Sequence, residues 1–459
     1  MPKNMRTFID LLRQKEAIYE LKKEVDPLLE VSALVRQAGV EKAIFFHRLA
    51  GFPDWRGCGV LARSRRRLAL ALGVPVDRML DEYSSRVKQK PTEPQKISDG
   101  PVKEIILKGQ EADLNLIPTS QISEKDAGPY LAFSETIVRD PDTGLHNMAI
   151  LRLQVKGKDK LGIYCIRGRH TWSIYEKYKK MGQPMPVAIV TGHHPAFHLA
   201  GLWCGSPEVD ELALAGSFLG EPLRVVPCET VELLVPADAE MVIEGEILPQ
   251  ELELEGPFSE FTGYYCLADH EPVVHVTAIT MRHDAIFEYE DVLGGAPADL
   301  GRAQDLYARL KEVEGLMDIK DVNFLSGVGL FTVVIKMTPH YRGQAKNTLL
   351  AALSSTLLHP KLVIAVDDDV DIYDPGDVFW ALANRVNPEK DVFIVSGTRN
   401  HPFDLKLPLC TETLIRQRLG SKMGIDATKP PTSKPEERAK FDRARPLGWQ
   451  NVKLADFLD

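Results

Sequence analysis

No run of apolar residues in this chain approaches the roughly 20 needed to cross a bilayer. The first ten residues, Met1 to Asp10, contain neither an uninterrupted apolar core nor a small-residue cleavage site, so they do not read as a secretory signal. Cysteine is sparse. The six, at 58, 165, 204, 228, 266 and 410, include no Cys-x-x-Cys pair, which excludes a zinc-finger spacing and gives no disulfide framework. Reduced thiols and a cytoplasmic location are the expectation. An excess of basic residues is also missing. The formal net charge of -9 argues against a broad nucleic-acid-binding surface. It remains compatible with a local pocket for one phosphate. No Gly-x-Gly-x-x-Gly follows a strand pattern, so a nicotinamide dinucleotide site is not indicated. No internal repeat is present.

What is present suits a globular protein of several units: 459 residues, 44% hydrophobic and 26% charged. Residues 1–105 begin with helical spacing at Phe8, Leu11, Leu12, Ile18 and Leu21, then a strand-like Ala43–Phe46. The stretch Lys88–Pro94, with two prolines, reads as a linker. Residues 106–310 are rich in strand signals at 149–155, 187–190 and 272–279, with helical intervals near 171–181 and 207–217. A β-rich barrel or sandwich is expected there. Residues 311–428 alternate strands (331–336, 361–366, 392–395) with helical patterns (342–358, 377–383), the signature of an α/β layer. A polar tail, 429–459, closes the chain, and its Val452–Leu458 segment suggests a docking element. The whole is a mixed α+β chain.

The segment Glu251–Glu260 carries the most chemistry. Its leucines alternate with Glu251, Glu253 and Glu255, which fits a half-buried strand with a solvated acidic face. Gly256-Pro257 then breaks the ladder. A straight strand would put Glu255 and Glu260 on opposite faces, whereas a turn can bring them to one site. The aromatic stretch Phe261–Tyr265 beside Glu260 would raise its pKa by desolvation, as a proton donor requires. Upstream, Arg152 sits in an apolar run that starts after Asn147, and a buried guanidinium there needs a carboxylate or phosphate partner. Arg167-Gly168-Arg169-His170 precedes a helix start, a pattern that suits an anion or a solvated basic turn equally. The three histidines of Gly192–His198 invite a metal reading but lack a ligand spacing that fits. Asp367–Asp371 reads as a solvated strand end with structural hydrogen bonds.

Taken in order along the chain, these pieces resemble the UbiD family of reversible decarboxylases. The resemblance runs through Asn147 and Arg152, Arg169-His170, Cys228-Glu229-Thr230, Val235-Pro236-Ala237, Glu255–Glu260 with Thr262-Gly263-Tyr264, Val366–Asp371 and Gly420–Thr428. It implies an N-terminal α/β region, a split-β-barrel-like flavin-binding domain and a C-terminal α/β oligomerisation domain. It also implies prenylated FMN as cofactor, with manganese and potassium at its phosphate and a flavin prenyltransferase supplying it. By the same resemblance Asn147, His170 and Glu229 would be metal ligands, and Ile150, Leu151, Arg152 and Arg169 would line the cofactor. Arg152, Glu255 and Glu260 would form the catalytic network, Glu260 as proton donor and Arg152 with Glu255 holding the substrate carboxylate. The expected assembly is a homodimer or higher homo-oligomer. The expected substrate is an aromatic, heteroaromatic or α,β-unsaturated carboxylic acid. A split-barrel flavin reductase and a non-catalytic subunit of a carboxylase complex are the alternatives. At Gly192–His198 the resemblance implies a surface or pocket loop. The stretch Glu288–Asp299 departs from the Gly-Arg-Pro-Pro-like loop of the family, so the substrate cannot be copied from a relative.

Overall fold

Asn4 opens the first helix, Met5–Gln14, by accepting the Thr7 backbone N–H, and Met5, Phe8, Ile9 and Leu12 form its buried stripe. The computed structural model that shows this describes residues 2–39, 41–291, 295–313, 318–325, 330–408, 418–447, 451–452 and 454–457. The expected helical spacing does not reach Ile18 and Leu21. Glu16 takes a positive φ of 52°, and Ile18–Leu21 is instead a strand parallel to Ala43–Phe46. Arg56–Gly59 continues this sheet, and Ile286–Tyr289 completes it from far along the chain.

Six strands close into an antiparallel barrel: Met241–Glu255, Met185–Thr191, Tyr130–Arg139, His146–Val155, Lys160–Ile163 and Asp269–Met281, the last pairing back to the first. Ile105–Lys108 adds a strand to Asp269–Met281 on the barrel's outside. Met185–Thr191 shows why its sequence read as a continuous apolar run. Ala188 and Val190 enter one core cluster while Met185, Val187 and Ile189 enter another, so both faces are buried. Helices His170–Met181, Pro195–Gly201 and Glu211–Leu219 interrupt the barrel strands, and the 17-residue helix Ala296–Glu312 follows them. Among the described residues no helix is long and apolar enough to cross a membrane.

A five-stranded sheet of order Ile319–Phe324, Thr332–Met337, Leu362–Val366, Arg418–Ala427, Val392–Asn400 forms the C-terminal layer, with Gln344–Leu353 crossing between its central parallel strands. Of the aspartates after Leu362–Val366, Asp368 and Asp371 are exposed, as at a solvated strand end, but Asp367 and Asp369 are drawn into ion pairs. Asp367 is fully buried and takes the Arg438 guanidinium, while Asp369 takes Arg385 in a two-bond fork at 3.0 and 2.8 Å and Lys429 at 3.0 Å. These pairs bind the start of the C-terminal tail to the sheet. Of the closing segment 452–458, Lys453 and Leu458 lie outside the described residues.

Candidate active site

His146–Val155 carries both Asn147 and Arg152. An offset of five residues would put them on opposite faces of a flat strand. The pairing with Tyr130–Arg139 slips by one residue, the extra residue lying on that partner strand between Leu131 and Ser134, and Asn147 and Arg152 both line one cavity. That cavity measures about 330 Å³.

Arg152 anchors one end. Its Nε donates to Glu255 Oε1 at 3.0 Å and its Nη2 to Glu255 Oε2 at 2.6 Å, while Nη1 donates to Glu260 Oε1. Tyr130 Oη donates to Glu255 Oε1 at 3.1 Å, so Glu255 is fixed from two sides. The guanidinium lies 4.0 Å from the Tyr164 ring centroid and 5.0 Å from that of Phe258. Burial works against its charge, yet Glu260 and Glu255 hold the Arg152 pKa well above its ordinary value. Glu255 ends the long strand Met241–Glu255; Gly256, at a φ of 87°, turns the chain so that Glu260 returns to the same guanidinium. Ser259 N–H to Asp126 Oδ1 at 2.7 Å and Glu260 N–H to Tyr264 O at 2.9 Å hold the returning segment. Burial pushes the Glu260 pKa up to about 7 against the pull of Arg152. One carboxyl is therefore clamped as a partner for arginine, and the other is poised to exchange a proton near neutral pH.

Asn147 lies at the other part of the cavity. Its Nδ2 donates to Glu211 Oε2 at 2.7 Å and its Oδ1 accepts from Thr171 at 2.9 Å; the Met148 backbone N–H also donates to Glu211. Glu211 is the first residue of Glu211–Leu219, a helix buried along its whole length, and that burial lifts its pKa well above the ordinary carboxylate range. His170, at the start of His170–Met181, lines the cavity beside Arg169; burial first, and then the Arg169 charge, lowers its pKa. Ile150 and Leu151 form the wall between the two ends.

Glu229 does not join this group. It sits in the turn before Leu234–Pro236, where its carboxylate pairs with Lys103 at 2.9 Å and Lys108 at 2.6 Å, and it does not line the cavity. Lys108 and then Lys103 hold its pKa below the ordinary value, as in a satisfied salt bridge. Glu211 is the carboxylate that stands beside Asn147 in the cavity. A sign was present in the sequence: a carboxylate heading the otherwise apolar run Leu212–Leu219. Arg302, His359 and His401 also line the cavity and carried no local signal. The His359 and His401 rings lie 4.7 Å apart against Phe261, and burial lowers the pKa of both. The histidines of Gly192–His198 are core residues rather than a surface loop: His193, His194 and His198 are all buried, and His194 Nδ1 caps its helix by accepting the Ala196 N–H at 3.1 Å. In Glu288–Asp299, residues 292–294 lie outside the described residues.

Three family models cover this architecture in sequence. The 3-octaprenyl-4-hydroxybenzoate carboxy-lyase N-terminal domain matches residues 9–87, the Rift-related domain 95–297 and the C-terminal domain 297–427. The chain belongs to the UbiD family. Carboxy-lyase is thus its general activity class. The UbiD-class enzyme HmfF from Pelotomaculum thermopropionicum, solved in complex with FMN, superposes with a TM-score of 0.91 at 36% identity, covering 99% of this chain and 100% of that one. An evolved dimeric form of the same enzyme was solved with prFMN. Apo 3,4-dihydroxybenzoic acid decarboxylase from Klebsiella pneumoniae matches at a TM-score of 0.87 and 26% identity, over 99% of each chain. An uncharacterized protein in the cooM 5' region of Rhodospirillum rubrum is 32% identical over 95% of this chain and 93% of its own length.

Proposed function

We propose that this UbiD-family chain is a reversible, non-oxidative decarboxylase of an aromatic, heteroaromatic or α,β-unsaturated carboxylic acid, using prenylated FMN. The observation that carries this reading is the Glu255–Arg152–Glu260 network lining the cavity, with one carboxyl fixed and burial pushing the pKa of the other up to about 7. The cofactor, when bound, supplies an electron sink for the charge left by departing CO2. Arg152, held in plane by Glu255 and Tyr130, orients the substrate carboxylate. Glu260 in its protonated form delivers the proton that replaces CO2, and in the reverse direction accepts it. The aromatic walls of Tyr164 and Phe258 exclude water around the guanidinium and strengthen its hold.

Asn147, His170 and Glu211 offer an amide, an imidazole and a buried carboxylate within one cavity, a donor set suited to a divalent cation such as manganese. A cation there would neutralise Glu211, whose burial now opposes its charge, and would engage the cofactor phosphate beside Arg169. Potassium is part of the same proposal, as are the flavin prenyltransferase partner and the homo-oligomeric assembly. The test is co-expression with a flavin prenyltransferase, an absorbance spectrum, then a screen of carboxylic acids for CO2 release and for solvent-deuterium exchange in the product. Glu260→Gln is expected to keep the cofactor spectrum and lose about 100- to 10,000-fold in turnover. Full turnover in that variant with a verified substrate would overturn the proton-donor assignment.

A further inference from the structure

A buried charge cluster that the proposed chemistry leaves unused lies directly behind one wall of the cavity. Gly201 forms part of that wall, and a Cβ placed there would meet Glu135 Cγ at 3.2 Å and Ile150 Cγ1 at 3.7 Å. Glu135 stands on Tyr130–Arg139, with its Cα paired to Ile150, and has no solvent exposure. Its Oε1 meets His198 Nδ1, and on the far side of the ring His198 Nε2 faces Glu288 Oε2 at 3.2 Å. His198 and Glu288 are also buried, and the Phe133 ring covers the imidazole at 4.7 Å between centroids. Burial opposes a charge on His198, but Glu135 and Glu288 together hold its pKa well above the ordinary value. With the imidazole charged and both carboxylates ionised the trio carries one net negative charge; burial raises the Glu135 pKa, and the adjacent His198 charge opposes that rise. Glu135 Oε2 receives no hydrogen bond among the described residues, so that charge is not dissipated locally. Enclosed in a medium of low effective dielectric, it acts across the single layer of side chains that separates it from the cavity.

A tie between strands alone does not call for such an arrangement, since well-packed apolar side chains of similar volume hold a core equally well. We propose that Glu135, His198 and Glu288 form an anionic backing to the flavin seat, which biases a bound isoalloxazine toward its oxidised, less negative form. Charges placed close to a flavin ring tune its electronics in this way. The inference rests on the flavin reading above, and it assigns these three residues to tuning and positioning, not to contact with the substrate.

The test uses the full-length chain reconstituted with FMN, whose reduction is titrated anaerobically against a reference dye. Glu135→Gln and Glu288→Gln each remove one negative charge from opposite sides of His198 while keeping side-chain volume. Each is expected to retain oxidised FMN at wild-type stoichiometry and to lower the preference for oxidised over reduced flavin by about tenfold, an upward shift of ~30 mV for a two-electron couple. One folded variant suffices, because the two probe the same charge from different elements. An unchanged potential in a variant that still holds FMN would overturn the backing role and leave the flavin reading intact. Failure of the wild-type chain to bind FMN would sink that reading, and the backing with it, before any variant is made.

Discussion

Two glutamates flank one guanidinium here, yet their chemistry differs because their surroundings differ. Glu255 accepts two bonds from Arg152 and one from Tyr130, leaving it committed to holding the arginine. Glu260 accepts from Arg152 through one oxygen and is pushed up to a pKa of about 7, chiefly by burial. The sign of the consequence is fixed. With Glu260 as the proposed acid, decarboxylation needs its protonated form, so kcat/KM is expected to be level below pH 7 and to fall about tenfold per unit above it. The limb should vanish from the residual activity of Glu260→Gln. At the proposed metal end, Glu211→Gln is expected to weaken divalent-cation-dependent retention of flavin by at least ~10-fold. Glu229→Gln should leave it unchanged, because Glu229 is engaged by Lys103 and Lys108. Equal losses in both variants would restore Glu229 to the site.

At the scale of elements, the turn after Met241–Glu255 determines whether there is a site at all. Gly256 adopts a φ of 87°, and a Cβ on it would meet Ala268 Cα at 3.3 Å. Gly256→Ala is therefore expected to cost about 1–2 kcal/mol of stability. Turnover should drop further than stability does, because Glu260 is displaced from Arg152. Thermal melting and kcat measured on the same preparation separate the two effects. The alternation Glu251–Glu255 in the sequence announced a strand, and the strand is there. The bulge opposite Leu151–Leu153 left no such mark. A bulge is a property of the pairing between two strands, and neither strand carries it alone.

Across the whole molecule, the C-terminal tail is joined to its sheet by charges that the sequence presented as an exposed acidic run. Asp367 is fully buried against Arg438, 71 residues further along the chain. Arg438→Ala leaves that carboxylate without its guanidinium in a buried position, so a loss of about 3 kcal/mol is expected. Chemical denaturation should show it, with little change in kcat well below the transition. The N-terminal sheet and the barrel are similarly bound together, because Ile286–Tyr289 leaves the barrel to pair with Arg56–Gly59.

The sequence by itself determined the β-rich middle, the alternating C-terminal layer and the family, since these follow from local periodicity and from motifs with fixed spacing; it missed the strand Ile18–Leu21 and the helices Pro195–Gly201 and Ala296–Glu312. It singled out Arg152, Glu255 and Glu260, which the structure brings into contact, and the opposite-face problem between Glu255 and Glu260 pointed to the turn at Gly256. Tertiary structure alone decided which carboxylate stands beside Asn147, that Asp367 is buried in an ion pair with Arg438, and that His198 is enclosed between Glu135 and Glu288. Each of these depends on partners 60 or more residues away, as with Asn147 and Glu211, Arg438 and Asp367, or His198 and Glu135. Burial and charge pairing are set by what the closed barrel and its covering layers bring together, and no window of sequence contains both sides of such a contact.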